Sequence, residues 1–206
     1  PEKPKAPPAD VKKKEKKPKA PKPKAPPAPA LPEPSSPEEA CEQAAPLLDI
    51  RVGTVTKCWE HPEAEKLYCE EIDIGEKDGP RTIASGLRPF YASADLIQGR
   101  QVLVFANLKA RNMQGFRSNG MVLCASTADG LAFVDPPKGA KPGDAVALPG
   151  LANPPASEAQ VDKKKLFAKA QPHFVVRGNV CYYKDKPFDV DGAACTAAVA
   201  DGASIN

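Results

Sequence analysis

The sequence predicts an all-β barrel of five strands, followed by a small α+β module and preceded by a disordered arm rich in lysine and proline. Three observations predict it. Five short runs between Asp49 and Ala125 are rich in β-branched, aromatic or long aliphatic residues and are separated by Gly, Pro and Asn turn signals. A single helix-compatible segment lies between the third and fourth runs. From Pro1 to Pro37 there is no aromatic residue, and Val11 and Leu31 are the only large aliphatic side chains, so this stretch cannot join a core.

Taken in order, the arm alternates its lysines with prolines, which remove backbone donors and favour extended chain. Ser36-Pro37-Glu38-Glu39 has the form of a helix start, with a serine cap, proline at the first position and acids facing the dipole. A short helix is expected from there toward Ala45. Asp49 to Trp59 reads as the first strand, with Gly53 as its bulge and His61-Pro62 as its end. Leu67 to Gly75 reads as the second. Lys77-Asp78-Gly79-Pro80 turns the chain, and Arg81 to Gly86 is the third strand. Tyr91 to Gln98 suits one or two helical turns, broken at Gly99-Arg100. Gln101 to Ala106 and Met121 to Ala125 are the fourth and fifth strands. That order is the order of an OB-fold, a Greek-key barrel whose face and loops bind oligonucleotides or oligosaccharides. Leu131 to Val134 and Ala145 to Leu148 are expected to close or extend the barrel. Further on, Tyr182 to Val190 reads as a hairpin turning at Lys184-Asp185-Lys186.

Charge narrows the function. The whole chain carries a net charge of +3. Through Ala45 the arm holds ten lysines against seven acids, so the arm accounts for all of it. The globular part is close to neutral, and any nucleic-acid binding there has to come from clustering on one face. The arm itself suits either a solvated spacer or a nonspecific clamp on a polyanion. Six cysteines are scattered without a C-x-x-C pair, which argues against a metal site and for a reducing compartment. No run is long enough to span a membrane. The two histidines, His61 and His173, have no nucleophile or ligand set beside them, and no phosphate-cradling glycine motif is present, so no catalytic centre and no cofactor are expected. The chain begins at Pro1 without methionine, as expected of a processed product or the end of a longer polypeptide.

The stretch from Asn107 to Met121 carries the chemistry. It presents Lys109, Arg111 and Arg117 between two apolar strands, and Gly115 and Gly120 permit a turn or a close backbone approach. This is the profile of a loop that faces phosphate. Three cations in such a connection also suit a loop simply kept in water.

Four ordered blocks then carry a resemblance. Asp49-Ile50-Arg51-Val52-Gly53, His61-Pro62-Glu63-Ala64-Glu65-Lys66-Leu67-Tyr68, Ser85-Gly86-Leu87, and Asn107-Leu108-Lys109 with Met113, Gly115, Ser118 and Met121 resemble the EMAP II-like tRNA-binding domain. Such domains are appended to methionyl- and tyrosyl-tRNA synthetases and form free synthetase-associated factors. The resemblance covers roughly residues 47 to 148 and implies an OB-fold that binds tRNA. Lys163-Lys164-Lys165-Leu166-Phe167 in a short helix, Val180 to Lys184, Pro187 to Val190 and the Cys195 region are similar to the extra module of the eukaryotic members. That module takes the place of a second subunit, so the implied state is a monomer.

The implied organisation is a basic arm over 1–45, ending in a possible short helix, an OB-fold over 46–149 and the C-terminal module over 150–206, packed on the barrel. The implied tRNA contacts are phosphate contacts from Lys109, Arg111 and Arg117, and loop fixing or donation by Asn107 and Ser118. Close approach is assigned to Ser85 and Gly86, and either a phosphate contact or a solvated helix face to Lys163, Lys164 and Lys165. Met113 and Met121 are expected to pack, as are the aromatics of the module, and Phe116 to be half-buried or to stack on a base. The implied partners are tRNA and an aminoacyl-tRNA synthetase, methionyl or tyrosyl, in cis or in trans, in the cytoplasm. A cytokine-like extracellular fragment, linked in the family to the region matching Arg51 to Lys57, and a scaffold role through the arm are the alternatives.

Overall fold

The computed structural model describes residue 36, residues 43–148 and residues 154–206. The arm, and the helix expected from Ser36 toward Ala45, lie for the most part outside the described residues.

Alternating buried positions build the barrel. β1 (Ile50–Glu60) buries Ile50, Val52, Val55 and Cys58. It is long enough to serve two partners, pairing antiparallel with β4 (Gln101–Phe105) over residues 50 to 54 and with β2 (Tyr68–Asp73) over residues 54 to 60. The switch is made at a register shift between Val55 and Lys57. The bulge therefore sits around Thr56 and not at the expected Gly53. Gly53 is needed for close approach, since a Cβ there would lie 2.6 Å from Cγ2 of Ile72.

β3 (Arg81–Ser85) pairs with β2, and after a 3-10 turn at Ala94–Leu96 the chain enters β4. The expected loop after β4 is itself structured as a hairpin, β5 (Arg111–Met113) and β6 (Phe116–Ser118). Gln114 and Gly115 form its two-residue turn, both with positive φ (49° and 85°), which matches the right-handed twist of the strands. The expected fifth strand is split. β7 (Met121–Val122) stays with β4, whereas β8 (Cys124–Ser126) leaves for another sheet and pairs with β9 (Leu131–Phe133). The first sheet thus runs β3-β2-β1-β4-β7. It curls toward closure where Asn119 N donates to the Thr82 carbonyl at 2.8 Å. Residues 143–146 line the first half of β1, with Gly143 N donating to Val52 O (2.9 Å) and Val146 N to Ile50 O (2.8 Å).

The C-terminal part shares both a sheet and a core with the barrel. α1 (Glu158–Lys164) starts from a capping box between Ser157 and Gln160. Lys165 (φ 51°, ψ 42°) then breaks it from α2 (Leu166–Ala170), so the helix expected across Lys163 to Phe167 is two short helices. β10 (Phe174–Arg177) and β11 (Val180–Tyr183) form a hairpin about Gly178-Asn179 that the element order above omitted. β12 (Lys186–Pro187) pairs with β11 across the Lys184-Asp185 turn, as expected. β13 (Asp189–Val190) and β14 (Ala193–Ala194) form a second small hairpin, and β15 (Ser204–Ile205) follows.

β15 inserts between β10 and β8, giving a six-stranded sheet β12-β11-β10-β15-β8-β9 drawn from both parts of the chain. One apolar cluster runs from Ile50, Leu103, Phe105 and Leu123 of the barrel into Leu166, Phe174, Tyr183 and Phe188. Phe174 is the hinge of this cluster, with ring centroids 5.2 Å from Phe188 and 5.6 Å from Tyr183. Each such ring contributes on the order of 2 kcal/mol by burial.

Candidate nucleic-acid interface

The polar residues expected to touch RNA divide by burial. Asn107 leaves β4 at 6 % exposure and is fully engaged. Its Oδ1 accepts from Asp49 N (2.9 Å), and its Nδ2 donates to the carbonyls of Leu47 and Ala156, both at 2.9 Å. It ties together three stretches of chain and has no hydrogen left to donate. Of the two roles the sequence allowed, the geometry gives Asn107 the fixing role. Ser118 is also buried. Its hydroxyl accepts from Ala84 N (3.1 Å) and donates to Gly120 O (3.0 Å), holding β6 against β3.

The cations stand outside this frame. Lys109, Arg111 and Arg117 are exposed. Lys109 Nζ meets Asp162 Oδ2 across the junction with α1 at 3.1 Å, an ion pair with more than half of each side chain in water. Arg111 is paired in register with Ser118, and Arg117 with Asn112. Pairs alternate between the two faces of a hairpin, so Arg117 lies on the face opposite to Arg111. Arg117 Nε donates to Asn119 Oδ1 at 3.1 Å. The three cations thus do not form one cluster.

Lys109 and Arg111 instead line a cleft of about 710 Å³ between the barrel and α1–α2. Ser85, Gly86 and Ser118 line its barrel side, and Lys165 its far side. Six of the ten residues singled out in the sequence meet there. Asn107 is buried and does not line it, Arg117 is on the other face of the hairpin, and Lys163 and Lys164 are on the exposed last turn of α1. Lys165 reaches the cleft because it occupies the left-handed region, where a non-glycine residue costs on the order of 1 kcal/mol. Met113 and Met121, half-buried, also line it.

The hydroxyl of Ser85 donates to Glu70 Oε1 at 2.6 Å. Glu70 is fully enclosed in the barrel, and its Oε2 has no partner among the described residues. Burial pushes its carboxyl up to about 7, and the hydrogen bond from Ser85 offsets part of that rise. Burial likewise pushes the thiols of Cys58, Cys124, Cys181 and Cys195 up to about 12, so they are inert apolar filling.

One patch was missed in the sequence. Trp59, at the end of β1, is half-buried and meets the edge of Phe116 (centroids 6.0 Å, 76°), with Lys57 Nζ 4.8 Å from the indole centroid. His61 supports it. Its Nδ1 accepts from the amides of Glu63 (3.1 Å) and Ala64 (3.0 Å), which leaves Nε2 to donate to the Met113 carbonyl at 3.1 Å. This fastens the hairpin to the β1–β2 connection. A lone tryptophan two residues from a lysine at the end of a strand is the signal that could have found the patch.

Residues 50–145 match the family model for the tRNA binding domain. The chain belongs to the family of EMAP II-like tRNA-binding domains. The C-terminal domain of Plasmodium vivax p43 superposes with a TM-score of 0.72 at 32 % identity, covering 78 % of this chain and 98 % of that one. Tyrosine–tRNA ligase, cytoplasmic, of Xenopus tropicalis is 38 % identical over 164 residues, 78 % of this chain and 31 % of the ligase. The tRNA-aminoacylation cofactor arc1 of Schizosaccharomyces pombe is 39 % identical over 152 residues, 72 % of this chain and 33 % of the cofactor. The chain therefore spans about a third of the length of these two relatives. Among the described residues no helix is long and apolar enough to cross a membrane.

Proposed function

We propose that this chain grips tRNA and holds it for an aminoacyl-tRNA synthetase, methionyl or tyrosyl, to which it is either appended or bound. It works in the cytoplasm as a monomer, and it contributes affinity and no chemistry. The observation that carries this reading is the gathering of Lys109, Arg111 and Lys165 at one cleft of a domain from a tRNA-binding family. Phosphate contacts of this kind position an RNA without reading its bases. Lys163 and Lys164, exposed beside the cleft, and Arg117, on the far face of the hairpin, extend the cationic surface around it. A grip held beside a catalytic domain raises the local concentration of tRNA by linkage alone. What supports the monomer is that the C-terminal strands and helices cover barrel residues such as Phe105, an apolar face that would otherwise suit a second copy.

The test is a salt titration of tRNA binding. In the triple variant Lys109→Ala, Arg111→Ala, Arg117→Ala, each lost phosphate contact lowers the magnitude of the log affinity against log salt slope by roughly 0.7 to 0.9. The thermal midpoint stays where it was, because all three side chains are exposed. A variant that keeps the wild-type slope and affinity would overturn the assignment. Light scattering that shows a stable RNA-free dimer would overturn the monomer.

A further inference from the structure

The contacts proposed so far concern phosphates, yet the cleft behind them has an apolar interior. Leu87, Leu108, Val122 and Leu131 line it from the barrel, and Val161 and Phe167 from α1 and α2. Its volume lies within the range of roughly 300 to 1,000 Å³ typical of small-molecule sites. A duplex has no use for such a space, because stacking hides its base faces and leaves only groove edges, sugar and phosphate to a surface. An unstacked base does, since its face is apolar and its flanking phosphates are anionic. The mouth supplies the matching charge. Lys109, Arg111 and Lys165 stand there, and among the described side chains of the lining only Asp162 is a carboxylate.

The polar group on the barrel wall has a fixed sense. The Ser85 hydroxyl has committed its proton to Glu70, so what Ser85 offers the cleft is an acceptor. An RNA strand carries suitable donors in its 2′-hydroxyls and exocyclic amines, whereas a backbone phosphodiester carries none.

We propose that the cleft between the barrel and the C-terminal helices is a slot for one or two unpaired nucleotides of the bound RNA. The bases lie between the apolar walls, the phosphates at Lys109, Arg111 and Lys165, and a ribose or base donor on Ser85. This deepens the tRNA reading and rests on it. It also gives the C-terminal module a direct part in RNA binding, since Lys165 and Phe167 complete a site that the barrel alone leaves open.

The slot is tested by blocking it from either wall without disturbing the core. Ala168 is exposed on α2 and lines the cleft, so Ala168→Glu places a carboxylate inside it. Gly86 is exposed, and a Cβ there meets nothing within 4 Å, so Gly86→Phe fills it from the opposite side. The probes are a fluorescent single-stranded RNA of about four nucleotides, the short end of known single-strand site sizes, a short RNA duplex, and whole tRNA. The wild-type chain binds the single strand, and each variant weakens that binding by about tenfold, the loss of one stacked base. The thermal midpoint is unchanged, and duplex binding falls much less than single-strand binding does. If tRNA binds but the single strand does not, or if both variants bind the single strand as the wild type does, the slot is wrong and the tRNA reading stands. If the wild type binds no tRNA at all, both fall.

Discussion

Two sets of polar residues lie between β4 and β7, and they behave oppositely. Asn107 and Ser118 are buried and spend their hydrogen-bonding capacity on backbone groups, all but the Gly120 carbonyl from distant parts of the chain. Lys109, Arg111 and Arg117, a few residues away, are exposed and hold at most one side-chain partner each among the described residues. The difference shows how a small barrel divides its labour. Connections that cross the barrel leave backbone donors and acceptors without a ladder, and short uncharged side chains satisfy them at little desolvation cost. Charged side chains cannot enter that frame unpaired, so they project from it into water.

The largest effect expected from breaking this division is at Asn107. Asn107→Ala removes three buried hydrogen bonds and strands the Asp49 amide and the Ala156 carbonyl, while the Leu47 carbonyl keeps the Ala156 amide at 2.9 Å. At roughly 1 kcal/mol or more for each, the loss is about 3 kcal/mol or greater, read as a thermal midpoint lower by on the order of 10 °C. Affinity for tRNA, measured where the variant is still folded, should change little. A variant with normal stability and poor tRNA binding would reverse the roles assigned to the two sets.

Glu70 is the buried group that fits neither set, because one of its carboxylate oxygens has no partner among the described residues. Its carboxyl stands at about 7 against an ordinary value of 4.5, so the folded state keeps a proton that the unfolded state releases. Stability from this group is therefore whole below about pH 4.5, declines as pH rises toward 7, and is flat above. The full decline is about 3 kcal/mol, at roughly 1.4 kcal/mol per unit. Glu70→Gln cannot ionise. It should remove this slope in denaturant titrations between pH 5 and 7 and be more stable than the wild type at pH 8. An unchanged slope would mean that Glu70 finds a partner for its charge.

Ser118→Ala should cost about 1 to 2 kcal/mol, because the Ala84 amide loses its acceptor inside the closure between β3 and β6. Since Ser118 also borders the cleft, its removal separates closure from binding: a lower midpoint in equilibrium unfolding is expected, with the salt slope of tRNA binding unchanged. A change in salt slope at constant stability would move Ser118 into the second set.

These roles explain what the sequence could and could not reveal. The runs Ile50 to Val55 and Val102 to Phe105 were legible because β-branched and apolar residues at strand spacing report burial locally. The hairpin at Arg111 to Ser118 was not, since Arg-Asn-Met and Phe-Arg-Ser carry almost no β signal and only Gln114-Gly115 hints at the turn. The split at Leu123 was also hidden. Which sheet a strand joins is decided by partners such as β15, some eighty residues away in sequence. The β10–β11 hairpin was there to be read, because Gly178-Asn179 stands between Phe174-Val175-Val176 and Val180-Cys181-Tyr182-Tyr183. At the site, the cations were visible as residue types, but their division between two faces needed the register of β5 with β6. The burial of Asn107 required Leu47, Asp49 and Ala156 to come together, which no local pattern announces.

The smallest effect concerns the one ion pair that crosses from the barrel to the helices among the described residues. Lys109 and Asp162 are 68 % and 54 % exposed, and a pair so placed is worth about 0 to 0.5 kcal/mol, less in salt. Asp162→Asn should therefore leave the thermal midpoint within about 1 °C of the wild type. Its effect on RNA should be of the opposite sign to every other substitution at the cleft. Among the described side chains that line the cleft, Asp162 is the one carboxylate beside Lys109, Arg111 and Lys165, and it would compete with a phosphate for Lys109. Freeing that lysine should tighten tRNA binding a fewfold at low salt, and the gain should fade as salt rises, because it is purely electrostatic. Tighter binding with unchanged stability would place Lys109 firmly among the ligand-facing groups. Weaker binding with a lower midpoint would show that the pair is instead a strut between barrel and helices, and Lys109 would join Asn107 and Ser118 as part of the frame.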